Sequence, residues 1–279
     1  MNRTATSLTR SFADDAPISL VLDNARGDVT VHADADPGTA TVELRADREV
    51  DLEEVRMGCR DGQVTVDIPS LADPARSSGF SISLGPLKVS TGETASVDVV
   101  VHVPRDAAVE VRTRSGDITV TGVTGVTRLT TGNGDLRLQE CTELRASSGA
   151  GDATIGSMTT GSVTTGSGDV RIEECTGPGA LQLRSGSGDL EVRTRSEETT
   201  AATGSGDIEL DLRTGRATLR TGTGDVVVRV PREVPVWLDL NTGLGDVTRR
   251  IDPVGPPTQG QEHLSVSVRS GTGDILITH

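Results

Sequence analysis

Aromatic side chains are nearly missing from this 279-residue chain: there is no Tyr, and only Phe12, Phe80 and Trp237 carry large rings. A core without rings has to be built from many small aliphatic contacts, as thin stacked β-coils are. Cysteine is scarce too. Cys59, Cys141 and Cys175 are too few, and odd in number, for a disulfide framework. No run of about 18 apolar residues occurs, so no membrane-spanning helix is encoded. The first twenty residues hold no apolar stretch of a secretory signal. These absences set the expectation of a cytoplasmic chain without direct membrane insertion. A basic surplus is also missing. Lys and Arg number 27 against 41 Asp and Glu, a net charge of −14. Such a chain is repelled by phosphate backbones and anionic lipid, and it lacks the aromatic platforms that hold single strands. Nucleic acid is therefore not an expected partner. Arg alternates with Glu and Asp along the chain, which reads as a solvated mixed-charge face.

What the chain has instead is one phrase written nine times: a hydroxyl residue, usually Gly, any residue, Gly, Asp, then apolar–any–apolar. The copies surround Asp117, Asp135, Asp152, Asp169, Asp189, Asp207, Asp225, Asp246 and Asp274, and the first seven are spaced by 17 to 20 residues. Four residues before each Asp stands Ser or Thr, from Thr113 to Ser270. Apolar residues stand one and three positions after Asp and six and eight before it. Alternation with period two on both sides of a turn means two short strands with one face inward. A Gly every few residues excludes helix. Repetition near 18 residues predicts an all-β fold, a parallel β-helix or β-roll solenoid whose coils stack at about 4.8 Å. Val123, Cys141, Met158 and Cys175, each six after an Asp, are predicted to form one more apolar column. Cys141 and Cys175 then lie two coils apart, roughly 9–10 Å, beyond disulfide reach.

The first 104 residues are less regular. Ile18–Leu22, Asp28–His32, Thr39–Ala46, Gln63–Ile68 and Ser96–Val103 alternate as strands, and Asn24–Asp28 is a degenerate copy of the phrase. This region is expected to form an N-terminal antiparallel cap on the solenoid of residues 105–279. Within it runs a long loop, 70–95, with apolar teeth at Phe80, Ile82, Leu84 and Leu87. Those four are the candidate partner-binding residues; the other reading packs them over the cap. A second irregularity, 249–262, puts Arg249 where earlier coils are apolar and then brings three prolines. The chain is expected to leave the solenoid there and return for a last strand pair ending at His279. An uncovered last coil invites self-association.

The Gly-Asp turn is the obvious place for chemistry. Structurally, Gly supplies a positive φ, and the Asp and Ser/Thr side chains bond turn backbone. The alternative is calcium at Asp135, Asp152, Asp169, Asp189, Asp207 and Asp225, because stacked Gly-Asp turns bind it in repeat-in-toxin β-rolls. The nonapeptide of those rolls differs in spacing and period. A G-x-G without a third Gly and a following helix is a weak nucleotide signal. Threonine arrays of the ice-binding kind are interrupted here by Arg and Glu. The residues His32, His102, His263 and His279 are scattered without metal-ligand spacing. No catalytic constellation is visible and no cofactor is expected. Paired carboxylates on a solenoid face keep a carbohydrate-active β-helix enzyme as the remotest reading.

With Val101-His102-Val103-Pro104 before them, the S/T-G-x-G-D-apolar-x-apolar repeats resemble the bacterial putative-adhesin β-strand-repeat domain of the "toast-rack" type. The likeness runs from about Ile18 to Thr278. It implies a β-helical or β-roll scaffold with no known catalytic residues. Some relatives carry membrane anchors and neighbour envelope-stress signalling proteins. The expected function is a non-enzymatic scaffold or protein-interaction module. An envelope-associated adhesin-like module binding a polymeric ligand is the alternative.

Overall fold

Each repeat folds into two strands joined at a Gly-Asp corner, and the corners stack in register. The computed structural model describes residues 4–71, 82–84, 87–89, 94–232, 234–252 and 263–279. One sheet stacks the strands that precede the corner. Its order is Gln63–Ile68, Ser19–Asn24, Ala108–Ser115, then the later halves of Ile118–Asn133, Leu136–Ala150 and Ala153–Ser167. Ala180–Ser187, Glu198–Ser205, Arg216–Thr223, Leu264–Thr272 and Val236–Leu244 follow, all parallel. The second sheet stacks the strands that follow the corner. It runs from Val97–Pro104 and Val29–Ala35 through the early halves of the three long strands to Ile275–Thr278 and Val247–Arg250. The all-β solenoid read from the repeat is the fold.

The core lies between the two sheets and is aliphatic. Leu129, Ala146, Val163, Leu183, Ala201 and Leu219 form one buried column; Ile118, Leu136, Ala153, Val170, Leu190 and Ile208 form another. Each full Leu, Ile or Val burial contributes about 1.5–3 kcal/mol. The many short side chains together replace the missing rings.

Chain order and spatial order differ at both ends. The coil Ser19–Ala35 sits inside the rung made by Gln63–Ile68 and Val97–Pro104. At the other end, Leu264–Thr278 slots between the rungs that begin at Arg216 and Val236. The expectation that the C-terminal pair is the last, uncovered coil is therefore corrected. The chain passes over one level at 230–236, lays down the terminal rung Val236–Arg250, and comes back into the gap.

Among the described residues, antiparallel pairing joins Thr4–Ala13 to Thr39–Asp51, Thr39–Asp51 to Val97–Pro104 and Arg56–Arg60 to Gln63–Ile68, besides one separate strand pair in the 69–96 segment. Parallel solenoid rungs therefore reach well into the first 104 residues. Asp14 ties this cap together: its carboxylate accepts from the backbone N–H of Ala16 at 2.9 Å and of Gly62 at 3.0 Å. Those bonds hold its pKa below the ordinary carboxylate value. The segment 69–96 connects the two strands of the first rung, and within it Ile82–Leu84 and Leu87–Val89 pair antiparallel as a separate two-stranded sheet. Ile82, Leu84 and Leu87 belong to these two strands; Phe80 lies outside the described residues.

The cysteine column forms with one change. Cys141 faces Met158 and Met158 faces Cys175, all buried, and the thiols are free. Next to Cys141, however, stands Thr124 rather than Val123, because the register slips between Val120 and Val123. Burial pushes the Cys141 thiol up to about 12.

Candidate functional site

The corner column is a continuous ladder of eleven aspartates: Asp98, Asp28, Asp117, Asp135, Asp152, Asp169, Asp189, Asp207, Asp225, Asp274 and Asp246. Each carboxylate Oδ1 accepts the backbone N–H of the next aspartate, at 2.7–3.0 Å, in ten successive bonds. A dipole thus answers each of the stacked negative charges. Arg137 adds a cation between Asp117 and Asp135. Glycine precedes ten of the eleven aspartates, and at those corners the backbone requires it. At Gly134 φ is +146°, and a Cβ would fall 2.2 Å from the carbonyl oxygen of Gly116. A parallel ladder runs beside this one. Eight Ser/Thr hydroxyls, from Thr131 to Thr242, donate to the corner glycine carbonyl of the preceding rung at 2.8–3.2 Å.

The calcium candidates Asp135, Asp152, Asp169, Asp189, Asp207 and Asp225 all stand in this ladder, each with one oxygen committed to backbone. Among the described residues no group of three or more His, Cys, Asp or Glu is arranged to hold a metal ion. Sequence reading missed two things here. Asp98 joins the ladder without a preceding Gly. Aligning on Asp98 would also have shown that His102 and His32 share one phase, each four residues after an Asp. Their rings stack with centroids 4.9 Å apart. His102 Nδ1 meets Asp34 Oδ1 at 2.8 Å, and His32 Nδ1 meets Thr121 Oγ1 at 2.7 Å.

The two outer faces have different chemistry. On the second sheet the charges pair across rungs: Arg171 with Glu191, Arg229 with Glu209, and Arg193 with Asp211 at 3.2 Å. This is the mixed-charge face read from the sequence. The first sheet differs. One outward column runs Glu110–Arg128–Arg145–Ser162–Gln182–Thr200–Thr218–Ser267–Asp239. Its neighbour runs Arg112–Thr130–Ser147–Thr164–Arg184–Ala202–Arg220–Arg269–Asn241. From the Arg128 rung to the Arg269 rung these columns hold arginines, hydroxyls, an amide and Ala202 but no carboxylate. Glu143 reaches Arg145 from the next column out, and Asp239 reaches Arg269 from the next rung. Arg128, Arg184 and Arg220 are exposed and have no acid partner among the described residues. Trp237, 72% exposed, points outward on this same sheet at the terminal rung.

Among the described residues the terminal rung is open: Val236–Leu244 and Val247–Arg250 each have a partner strand on one side only. Leu238 and Leu240 stand in core columns yet are only partly buried, and Leu244 and Val247 are exposed. Arg249 takes the core position that Ile277 fills one rung below. An inward charge of this kind guards a sheet edge against arbitrary pairing.

The fold and these surfaces define a β-solenoid with side-chain columns along its faces. The chain belongs to the Toastrack DUF4097 family, which it matches over residues 18–278. No curated protein matches it. Among solved structures it is similar to a putative adhesin from Parabacteroides distasonis ATCC 8503. That structure is 12% identical, with a TM-score of 0.53 and coverage of 98% of this chain and 97% of the other. A putative adhesin from Bacteroides fragilis NCTC 9343 is 13% identical, with a TM-score of 0.48 and coverage of 97% and 96%. At such identity the likeness to the Parabacteroides structure shows the fold alone.

Proposed function

We propose that this chain is a non-enzymatic, adhesin-like scaffold that engages a protein partner, a second copy of itself, through its open end. The observation that supports this is the asymmetry of the two ends. The N-terminal end is closed by antiparallel strands, whereas among the described residues the terminal rung leaves strand edges and part of the core uncovered. An unpaired edge over an apolar cross-section favours strand addition. With one end closed, head-to-tail growth has no acceptor; two open ends meeting about a two-fold axis give a closed dimer. The segment Asp246-Val-Thr-Arg-Arg-Ile-Asp252 suits that meeting. An antiparallel register placing Asp246 against Arg250 of the second copy pairs opposite charges reciprocally.

Light scattering over a wide concentration range tests the reading. The wild type is expected to reach dimer and stop, and Leu244→Lys with Val247→Lys to remain monomeric. A strict monomer at high concentration sinks the proposal. The adhesin-like part requires an envelope location and the scaffold part is at home in the cytoplasm. Fractionation of native cells discriminates between them.

A further inference from the structure

We infer that the outer face of the first sheet binds a linear acidic polysaccharide, one that carries carboxylate or sulfate groups along its length. The inference uses a different surface from the solenoid end and stands without it.

The observation is a sign reversal. The chain carries a net charge of −14, yet seven successive rungs of this face present Arg128, Arg145, Arg184, Arg220 and Arg269 and no carboxylate in their two central columns. A surface meant only for solvation would pair its arginines, as the second sheet does at Arg171 and Arg193. Three of the five here are left without an acid among the described residues. The rungs repeat at about 4.8 Å, so the arginine track is roughly 29 Å long, with intervals of one or two rungs. That is a linear array suited to a linear ligand. Guanidinium groups take carboxylates and sulfates through paired N–H donors. The intervening hydroxyls and the Gln182 amide offer donors and acceptors to sugar hydroxyls.

The chemistry of the face also separates polysaccharide from nucleic acid. Single-strand binding needs a series of aromatic platforms, one per base. Among the described residues this face has one aromatic platform, Trp237, at its end. A lone exposed indole suits the apolar face of one sugar unit and cannot stack a run of bases.

Calorimetric titration of the full chain with polygalacturonate, uncharged dextran and a single-stranded DNA oligomer tests the inference. Polygalacturonate is expected to bind in a salt-sensitive manner and dextran not at all. The double variant Arg184→Ser, Arg220→Ser should weaken binding by about tenfold or more and flatten the salt dependence by about two charges. Both side chains are exposed, and an unchanged circular dichroism spectrum verifies the fold. Arg171→Ser, on the other sheet, should leave binding as it was. Absence of polygalacturonate binding, equal binding by the double variant, or tighter binding of the DNA oligomer each overturns the proposal.

Discussion

The backbone N–H of Asp28 donates to the carboxylate of Asp98 at 3.0 Å, across 70 residues of chain. This bond is the first link of the corner ladder, and it crosses the 69–96 insertion. The first rung is therefore held in register at the point where its own corner is interrupted. The amide of Asn24 reinforces it, donating to Val97 O at 2.9 Å and Gly27 O at 3.2 Å. The ladder is a structural device before it is anything else. The repeated phrase specifies how each rung grips its neighbour.

That role predicts an order of stability among corner variants. Asp169→Asn keeps a side-chain oxygen for the Asp189 N–H and should cost little. Asp169→Ala removes the acceptor and should cost about 1 kcal/mol, moderated by exposure to water. Gly168→Ala should cost more than about 2 kcal/mol, since it imposes a positive φ on a side chain and a backbone clash. Its Cβ would lie 2.2 Å from Gly151 O. Urea unfolding midpoints should fall in that order. An Asp169→Ala variant as stable as the wild type would remove the ladder from the stability argument.

Thr113 offers an opposite expectation. Its hydroxyl is the one buried side-chain polar atom, among the described residues, without a hydrogen-bond partner. The carbonyl that the pattern assigns to it, Gly27 O, is already taken by Asn24. Thr113→Val should therefore stabilise the fold by about 1 kcal/mol, because it removes an unpaired buried hydroxyl. Thr131→Val, the same exchange one rung along, breaks a 3.0 Å bond to Gly116 O and should destabilise by about 1 kcal/mol. Paired thermal melts that shift in the same direction would contradict this account.

The buried thiols predict reactivity and an alkaline limit. Burial raises the pKa of both Cys141 and Cys175, so both stay protonated and unreactive at neutral pH. A maleimide should modify partly exposed Cys59 first, and the other two only on unfolding. The sign for stability follows from linkage. The folded value for Cys141, about 12, exceeds the ordinary 9.0, so its contribution is fully present below pH 9. It is lost as pH rises towards 12. Cys141→Ala should shrink this alkaline dependence, although it opens a cavity. Rapid labelling of Cys141 in the folded protein at neutral pH would refute the burial.

Much of this was legible in the sequence because a solenoid repeats its rules. The Asp phase located both ladders, the core columns and the Cys141–Met158–Cys175 contact. What escaped was either non-local or hidden by parity. Asp98 lacks the glycine, so its rung and the His32–His102 stack went unaligned. A register slip near Val120 exchanged Val123 for Thr124. Reading charge along the chain mixed the two sheets. Positions five and seven before Asp face one side and those two and four after it face the other. Only that separation isolates Arg128, Arg184 and Arg220. The swapped order of rungs at each end leaves no local pattern, since every coil accepts any other as its neighbour.

That swapped order carries the last prediction. In a solenoid that stacks in chain order, removing the final coil exposes only the one before it. Here, among the described residues, Val236–Leu244 pairs only with Leu264–Thr272, and Val247–Arg250 only with Ile275–Thr278. Truncation before residue 264 therefore removes one rung and leaves another with no strand to lie on. Hydrogen exchange on the truncated chain should show protection persisting in Glu198–Ser205 and lost throughout Val236–Arg250. The cost should exceed that of a single rung, because Leu219 and Val228 lose the cover of Val268 and Ile277. Val236–Leu244 could in principle drop one level and pair directly with Arg216–Thr223. Retained protection in Val236–Leu244 would show that slip, and with it that the coils are interchangeable and the interleaved order is set by the connecting segments.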